Sequence, residues 1–350
     1  MRPLKLDERK QLILKAIIDD YIFTAEPVGS RTIARKYNLG ISPATIRNEM
    51  ADLEEMGYLE QPYTSAGRIP SDKGYRFYVD SLMKVKRLSK EEIKNISEVF
   101  KKITEIEDVI EETVKILSQM TSYASVILGP QLRKSALKHL QIVPLEKGKA
   151  LVVIVTNTGM VEHRFIKVPE NVSDSDLNRI SNAMNAKIQG LTIDKITPAL
   201  LREIQKEVFG CDDILNLAMN ILFQSLDDHS ENKVYLGGAT NLLNLPEFKD
   251  IDKAKNFLAL LEEKELLCSI LTESFFLDKD LIVTIGSENK HEKVQDYSLI
   301  TATYKVNGRT VGIIGVIGPT RMEYSKVISI VNFITVNMNK IFTELFGEQN

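Results

Sequence analysis

The sequence predicts a multidomain α+β protein whose N-terminal part is a winged helix-turn-helix. Three observations carry that prediction. A helix start at Ser42-Pro43 follows a short helix and a tight turn. A hairpin with prolines on both arms comes directly after it. Further on, two β-rich regions are separated by a helical stretch. A chain of 350 residues with 43% hydrophobic and 27% charged side chains can bury more than one core, which excludes disordered and fibrous classes.

The first helix is expected from Asp7 to Ile22, with Asp7 as N-cap and Leu12, Ile13, Ala16, Ile17 and Tyr21 at helical spacing. After Thr24 to Gly29 breaks the period, Ser30 starts a second short helix reaching Tyr37. Asn38 and Gly40 supply a turn that tolerates positive φ. Ser42 then offers a hydroxyl cap, and Pro43 sits where a missing N–H costs nothing. This third helix should end near Met56, with Gly57 just past its last turn.

Projected at about 100° per residue, the third helix puts Ile46, Met50 and Leu53 on its packing side. Ala44, Asn48, Ala51 and Asp52 fall opposite, flanked by Thr45 and Arg47. Small residues beside an arginine and an asparagine suit a helix that enters a DNA groove, since arginine reads guanine and asparagine adenine. An ordinary surface helix would give Arg47 an acid three or four residues away. Those positions hold Pro43, Ala44, Met50 and Ala51. The wing follows, with Tyr58 to Tyr63 and Arg68 to Pro70 flanking Thr64-Ser65-Ala66-Gly67. Thr64, Ser65 and Arg68 are expected at phosphate or the minor groove, with Arg31 and Arg35 on phosphates. Ser30, Ser42, Ala44 and Thr45 complete the expected DNA-facing set. Tyr75, Tyr78 and Leu82 form an apolar stripe on the next helix and belong to the core.

Charge agrees with a DNA-binding head. Residues 1–90 carry 16 basic and 12 acidic side chains, a net of +4, against −7 for the rest and −3 overall. Pro27 to Asn48 contains no acid. A basic head on an acidic body points to an anionic partner met by the head.

In the body, Ser89 and Glu92 form a capping box before a helical apolar run from Ile93 to Leu117, in which Glu107 interrupts the heptad. Strands are expected at Leu140 to Leu145, Leu151 to Thr156 and Val161 to Val168, then helices over 173–229. Strands at Leu281 to Ile285, Tyr297 to Val306 and Val311 to Ile317 and a helix from Tyr324 close the chain. Strands, helices and strands again suggest an α+β domain with an insertion.

No catalytic constellation is found. Gly312, Gly315 and Gly318 have the spacing of close-packed strands and not of a nucleotide loop. Gly237-Gly238 lacks the lysine of a P-loop and reads as a turn. Asp227-Asp228-His229 has no second histidine at ligand spacing, and His139, His163 and His291 are isolated. No metal or cofactor is expected. Cys211 and Cys268 read as buried thiols. No apolar run is long enough to span a membrane, and acids stand where a signal peptide would be apolar. A cytoplasmic protein is expected.

Two sets of strings resemble the bacterial heat-inducible transcription repressor family HrcA. In the head they are Thr24 to Ala34, Gly40 to Met50 and Thr64 to Arg76; in the body, Asn241 to Phe248, Ile285 to Asn289 and Gly315 to Tyr324. Tyr63 stands where that family more often carries histidine. The resemblance implies a GAF-like α/β domain holding an inserted dimerising α+β domain. It also implies a homodimer on the CIRCE inverted repeat of chaperone operons, repression relieved by heat, and assistance from the chaperonin. On this reading residues 1–88 are the winged helix, 89–136 with 234–350 the GAF-like domain, and 137–233 the insertion. The rival is a metabolite-sensing regulator that uses the GAF-like pocket.

Overall fold

The computed structural model describes residues 6–100, 106–130, 136–157, 161–169, 172–192, 195–207, 233–273, 279–306 and 308–346. The head begins with α1 (Glu8–Thr24), capped by Asp7, whose carboxylate accepts the Lys10 N–H at 2.8 Å. Next come α2 (Ser30–Lys36) and α3 (Pro43–Glu55), joined by a turn with Asn38 and Gly40 at φ 44° and 67°. Gly29, one residue earlier than expected, is the N-cap of α2. Ile13, Ile17, Ile33, Ile46 and Leu53 have no exposed surface, so the three helices share one core.

Strands β1 (Leu59–Glu60) and β2 (Ile69–Pro70) pair antiparallel, Leu59 opposite Pro70, and form the base of the wing. Helix α4 (Asp72–Phe77) follows, capped by Ser71, and continues through a wide turn to Leu82. Tyr75 and Tyr78 are buried, as their stripe required.

The body opens with α5 (Lys90–Phe100), where the Ser89–Glu92 capping box forms in both directions. It continues with α6 (Ile106–Thr121) and β3 (Ala124–Leu128). A meander follows: β4 (Leu137–Pro144), β5 (Lys149–Thr156) and β6 (Val161–Lys167). Its inner face carries Leu140, Ile142, Val152, Ile154 and Ile166. These pack on Leu177, Ile180, Met184 and Ile188 of α7 (Asp174–Ile188) and on Ile204 of α8 (Pro198–Glu207). Asn185 of α7 binds the edge of β4, accepting from the Leu140 N–H at 2.8 Å and donating to its carbonyl at 2.7 Å. This small core is separate from the larger one, which joins the head to residues before 129 and after 233.

After β7 (Val234–Gly237) come α9 (Ile251–Glu262), α10 (Lys264–Glu273), β8 (Leu281–Ile285), β9 (Tyr297–Val306), β10 (Arg309–Pro319) and α11 (Tyr324–Phe346). The second sheet has the order β7-β3-β10-β9-β8, and every neighbouring pair is antiparallel. Helix α11 packs along β9, α6 on β3 and β7, and α10 against β10. Gly312 is obligatory, because a Cβ there would lie 2.1 Å from the Tyr304 hydroxyl.

Several expectations change. Gly237 ends strand β7 and does not sit in a turn; Gly238, at φ 72°, turns the chain. Strands β3 and β7 join the strands foreseen in the C-terminal region. Cys268 is a buried free thiol. Cys211, Asp227 to His229 and the helix expected around Ala218 to Ser225 lie outside the described residues.

Candidate nucleic-acid interface

Helix α3 is built to present one face. Ser42 Oγ accepts the Thr45 N–H at 3.1 Å and is 2.9 Å from Thr45 Oγ1, so both hydroxyls belong to the cap. Ile46, Met50 and Leu53 are buried beneath. This rotation leaves Ala44, Arg47, Asn48 and Ala51 exposed on the outer side, with Thr45 half-buried.

On α2, Ile33 packs inward, while Arg31 and Arg35, one helical turn apart, are exposed; Ser30 is half-buried. Arg31, Arg35, Arg47 and Asn48 have no hydrogen-bond or ion-pair partner among the described residues. Several other cations of the head do find acids: Lys10 pairs with Glu49 at 2.6 Å and Asp52 at 3.0 Å, and Lys36 pairs with Asp20. The open arginines of α2 and α3 lie together on the outer face.

The wing is pinned to the segment before α2. Val28 and Arg68 exchange both backbone hydrogen bonds at 2.9 Å. Gly67 permits the approach, since a Cβ would meet the Val28 carbonyl at 2.5 Å. Thr64 and Ser65 are exposed at the tip. Ser30, Arg47, Gln61, Ser65 and Arg68 border one cleft of about 360 Å³, which brings helix, wing and the start of α2 together.

Arg68 departs from its expected place. Its side chain is 19% exposed, and its Nη2 lies 2.6 Å from Glu54 of α3. The guanidinium thus ties wing to helix and is not free at the tip for a phosphate. Glu54 is 14 residues away, and no helical spacing could have revealed it. The Lys10–Glu49 pair, which holds α1 to α3, was missed for the same reason.

A winged helix-turn-helix with an open cationic face, set on a mixed α/β body, is the architecture of a transcriptional regulator. Residues 107–328 match the family model for the HrcA protein C terminal domain. The heat-inducible transcription repressor HrcA of Pelotomaculum thermopropionicum is 49% identical over 343 residues, covering 98% of each chain. That of Ruminiclostridium cellulolyticum is 48% identical over 348 residues, covering 97% of this chain and 98% of its own. Among solved structures, a crystal structure of a hypothetical protein is similar in fold, with a TM-score of 0.60 at 24% identity, covering 97% of this chain and 100% of that one.

The chain belongs to the HrcA family of heat-inducible transcription repressors. It is a negative regulator of heat-shock transcription and not an enzyme. No helix among the described residues is long and apolar enough to cross a membrane.

Proposed function

We propose that the protein acts in the cytoplasm as a homodimer on an inverted-repeat operator of the CIRCE type, repressing chaperone operons until heat releases it. The observation that carries this reading is the open set on α2 and α3: Arg31, Arg35, Arg47 and Asn48, whose side chains are exposed and without partners among the described residues. Arg47 and Asn48 read base edges, and Ala44 keeps the approach close. Arg31 and Arg35 meet phosphates, with Ser30, Ser42 and Thr45 alongside and Thr64 and Ser65 at the wing.

Residues 89–136 and 234–350 are read as the GAF-like domain, a reading supported by the five-stranded antiparallel sheet with helices on it. Residues 137–233 are read as the dimerising insertion, which the separate core of the meander supports. The outer face of that meander supports dimerisation as well. Val143, Leu151 and Phe165 lie side by side on neighbouring strands, next to Val153 and then Val155 with Val161. Phe165 is 73% and Val161 57% exposed. An apolar sheet face of this kind marks an interaction surface. One head reads few base pairs, and two-fold symmetry doubles the contact. The chaperonin is the partner expected to maintain the active form.

Footprinting on an inverted-repeat operator, against scrambled DNA at matched salt, tests the reading. The wild type should protect both half-sites. Arg47→Ala and Asn48→Ala should each lose about 1–3 kcal/mol of discrimination between operator and scrambled DNA. Unchanged discrimination in both variants, with folding verified by circular dichroism, would remove the assignment.

A further inference from the structure

We infer that Asp72 and Arg76 of α4, with Ser287 and Glu288 of the body, are positioning residues for operator recognition: they hold the head at one angle on the body and so set the half-site spacing that a dimer accepts. The inference rests on the dimeric reading above.

Asp72 Oδ2 accepts from both the N–H and the hydroxyl of Ser287, each at 2.8 Å. One turn along α4, the Arg76 Nε donates to Glu288 Oε1 at 2.7 Å, and its Nη2 donates to the second Glu288 oxygen and to the Val283 carbonyl. The body loop closes on Asp72 only because residue 286 is glycine. Gly286 stands at φ 52°, and a Cβ there would fall 2.2 Å from either carboxylate oxygen. The acid, the glycine and the arginine are thus mutually fitted across more than 200 residues of sequence.

Two further attachments act on other elements. Arg321, 9% exposed, pairs with Glu247 and donates to the Ile22 carbonyl near the end of α1. The connection from head to body runs along the start of α11, where Lys86 N–H donates to Ser325 Oγ at 2.9 Å and that hydroxyl donates to the Lys84 carbonyl at 2.7 Å. Two attachments would leave the head free to rotate about the line that joins them. The third, on α4, removes that freedom. All three lie away from α2, α3 and the wing tip, so the docked head keeps its reading residues exposed.

A rigid head matters only to a protein that must engage two half-sites at once. Each head binds its own half-site by itself, and the gain from linking the two depends on whether the geometry lets both engage. Fixed heads give a large gain at one spacing and little at others. Loose heads spread a smaller gain over many spacings.

The test uses the full-length protein with two variants, Asp72→Ala and Glu288→Gln. The second keeps an acceptor for the Ile285 N–H, which Glu288 holds at 2.9 Å, so it preserves the local turn. Affinity is measured by fluorescence anisotropy on a single half-site and on inverted repeats. The spacer is varied in single base pairs up to a half turn, about 5 base pairs. Wild type should lose about tenfold or more when the spacer departs from its optimum by a half turn, and each variant about threefold or less. Half-site affinity and its salt slope should not move in either variant, an outcome that loss of folding would not produce. Variants that keep the wild-type dependence on spacing would overturn the inference. A wild type that prefers no inverted repeat over its half-site would instead overturn the dimeric reading, and this inference with it.

Discussion

Arg68 on the returning arm of the wing and Glu54 near the end of α3 meet through two nitrogens on one oxygen, Nη2 at 2.6 Å and Nε at 2.8 Å from Glu54 Oε2. The pair sets the angle between wing and recognition helix, because each partner is anchored in its own element. Arg68→Ala should lower stability by about 1 kcal/mol, the range of a partly exposed ion pair. It should weaken operator binding without changing the salt slope. Thermal unfolding, with titrations at several salt concentrations, checks both points. A slope smaller by about one with stability intact would return Arg68 to the phosphate contacts.

Arg31 and Arg35 should behave in the opposite way. Both are exposed on α2 without a side-chain partner among the described residues, so Arg31→Ala or Arg35→Ala removes no hydrogen bond or ion pair there. Stability should stay within about 0.5 kcal/mol of wild type. Affinity for operator and scrambled DNA should fall together, and the salt slope should drop by about one for each arginine. A loss confined to the operator would make the residue a base reader.

These contrasts show what was legible in the chain. Ser42 capping Thr45 and Ser89 with Glu92 depend on residues within four positions of each other and were readable, as was the lack of an acid at helical spacing from Arg47. Arg68 with Glu54, Lys10 with Glu49 and Asp72 with Ser287 span 14, 39 and 215 residues, and no local pattern encodes them. Strand β3 escaped for another reason. Ala124 to Leu128 is buried at every position, so the alternation that marks a half-buried strand is missing. Strand β7 has four residues and pairs with β3 across more than a hundred positions.

Lys10 makes a prediction in pH. Its side chain is 14% exposed, and hydrogen bonds to Glu49 and then Asp52 hold its ammonium well above the usual lysine range. The folded state therefore binds this proton more tightly than the unfolded state does. The resulting stability is complete below the unfolded value of about 10.4 and is lost as pH climbs past it toward the folded value. Tyr37, pushed up to about 12 by burial and by Asp20 and Asp19, responds in the same direction and is common to wild type and variant. Lys10→Met should cost about 1–3 kcal/mol near neutrality, since Glu49 is left largely buried with its charge poorly paired. Its loss of stability in alkali should also be shallower than that of wild type. Parallel alkaline profiles for the two proteins would show that the pair contributes nothing.

Phe165 offers the sharpest test of assembly. It sits on β6 opposite Leu151, pointing away from the core that its neighbour Ile166 joins, and is 73% exposed. A charge at this position disturbs no packing within the protomer, but it would be buried against an apolar surface in a dimer formed through this face, where an unpaired charge is costly. Phe165→Asp should thus leave the unfolding of the isolated protomer within about 0.5 kcal/mol while shifting the sedimenting species from dimer to monomer. On the inverted repeat its affinity should fall to that of a single half-site, because the linkage between heads is gone. The same substitution should leave half-site binding and its salt slope untouched, since no residue of α2, α3 or the wing is altered. A Phe165→Asp protein that still sediments as a dimer would move the interface to another surface of the body.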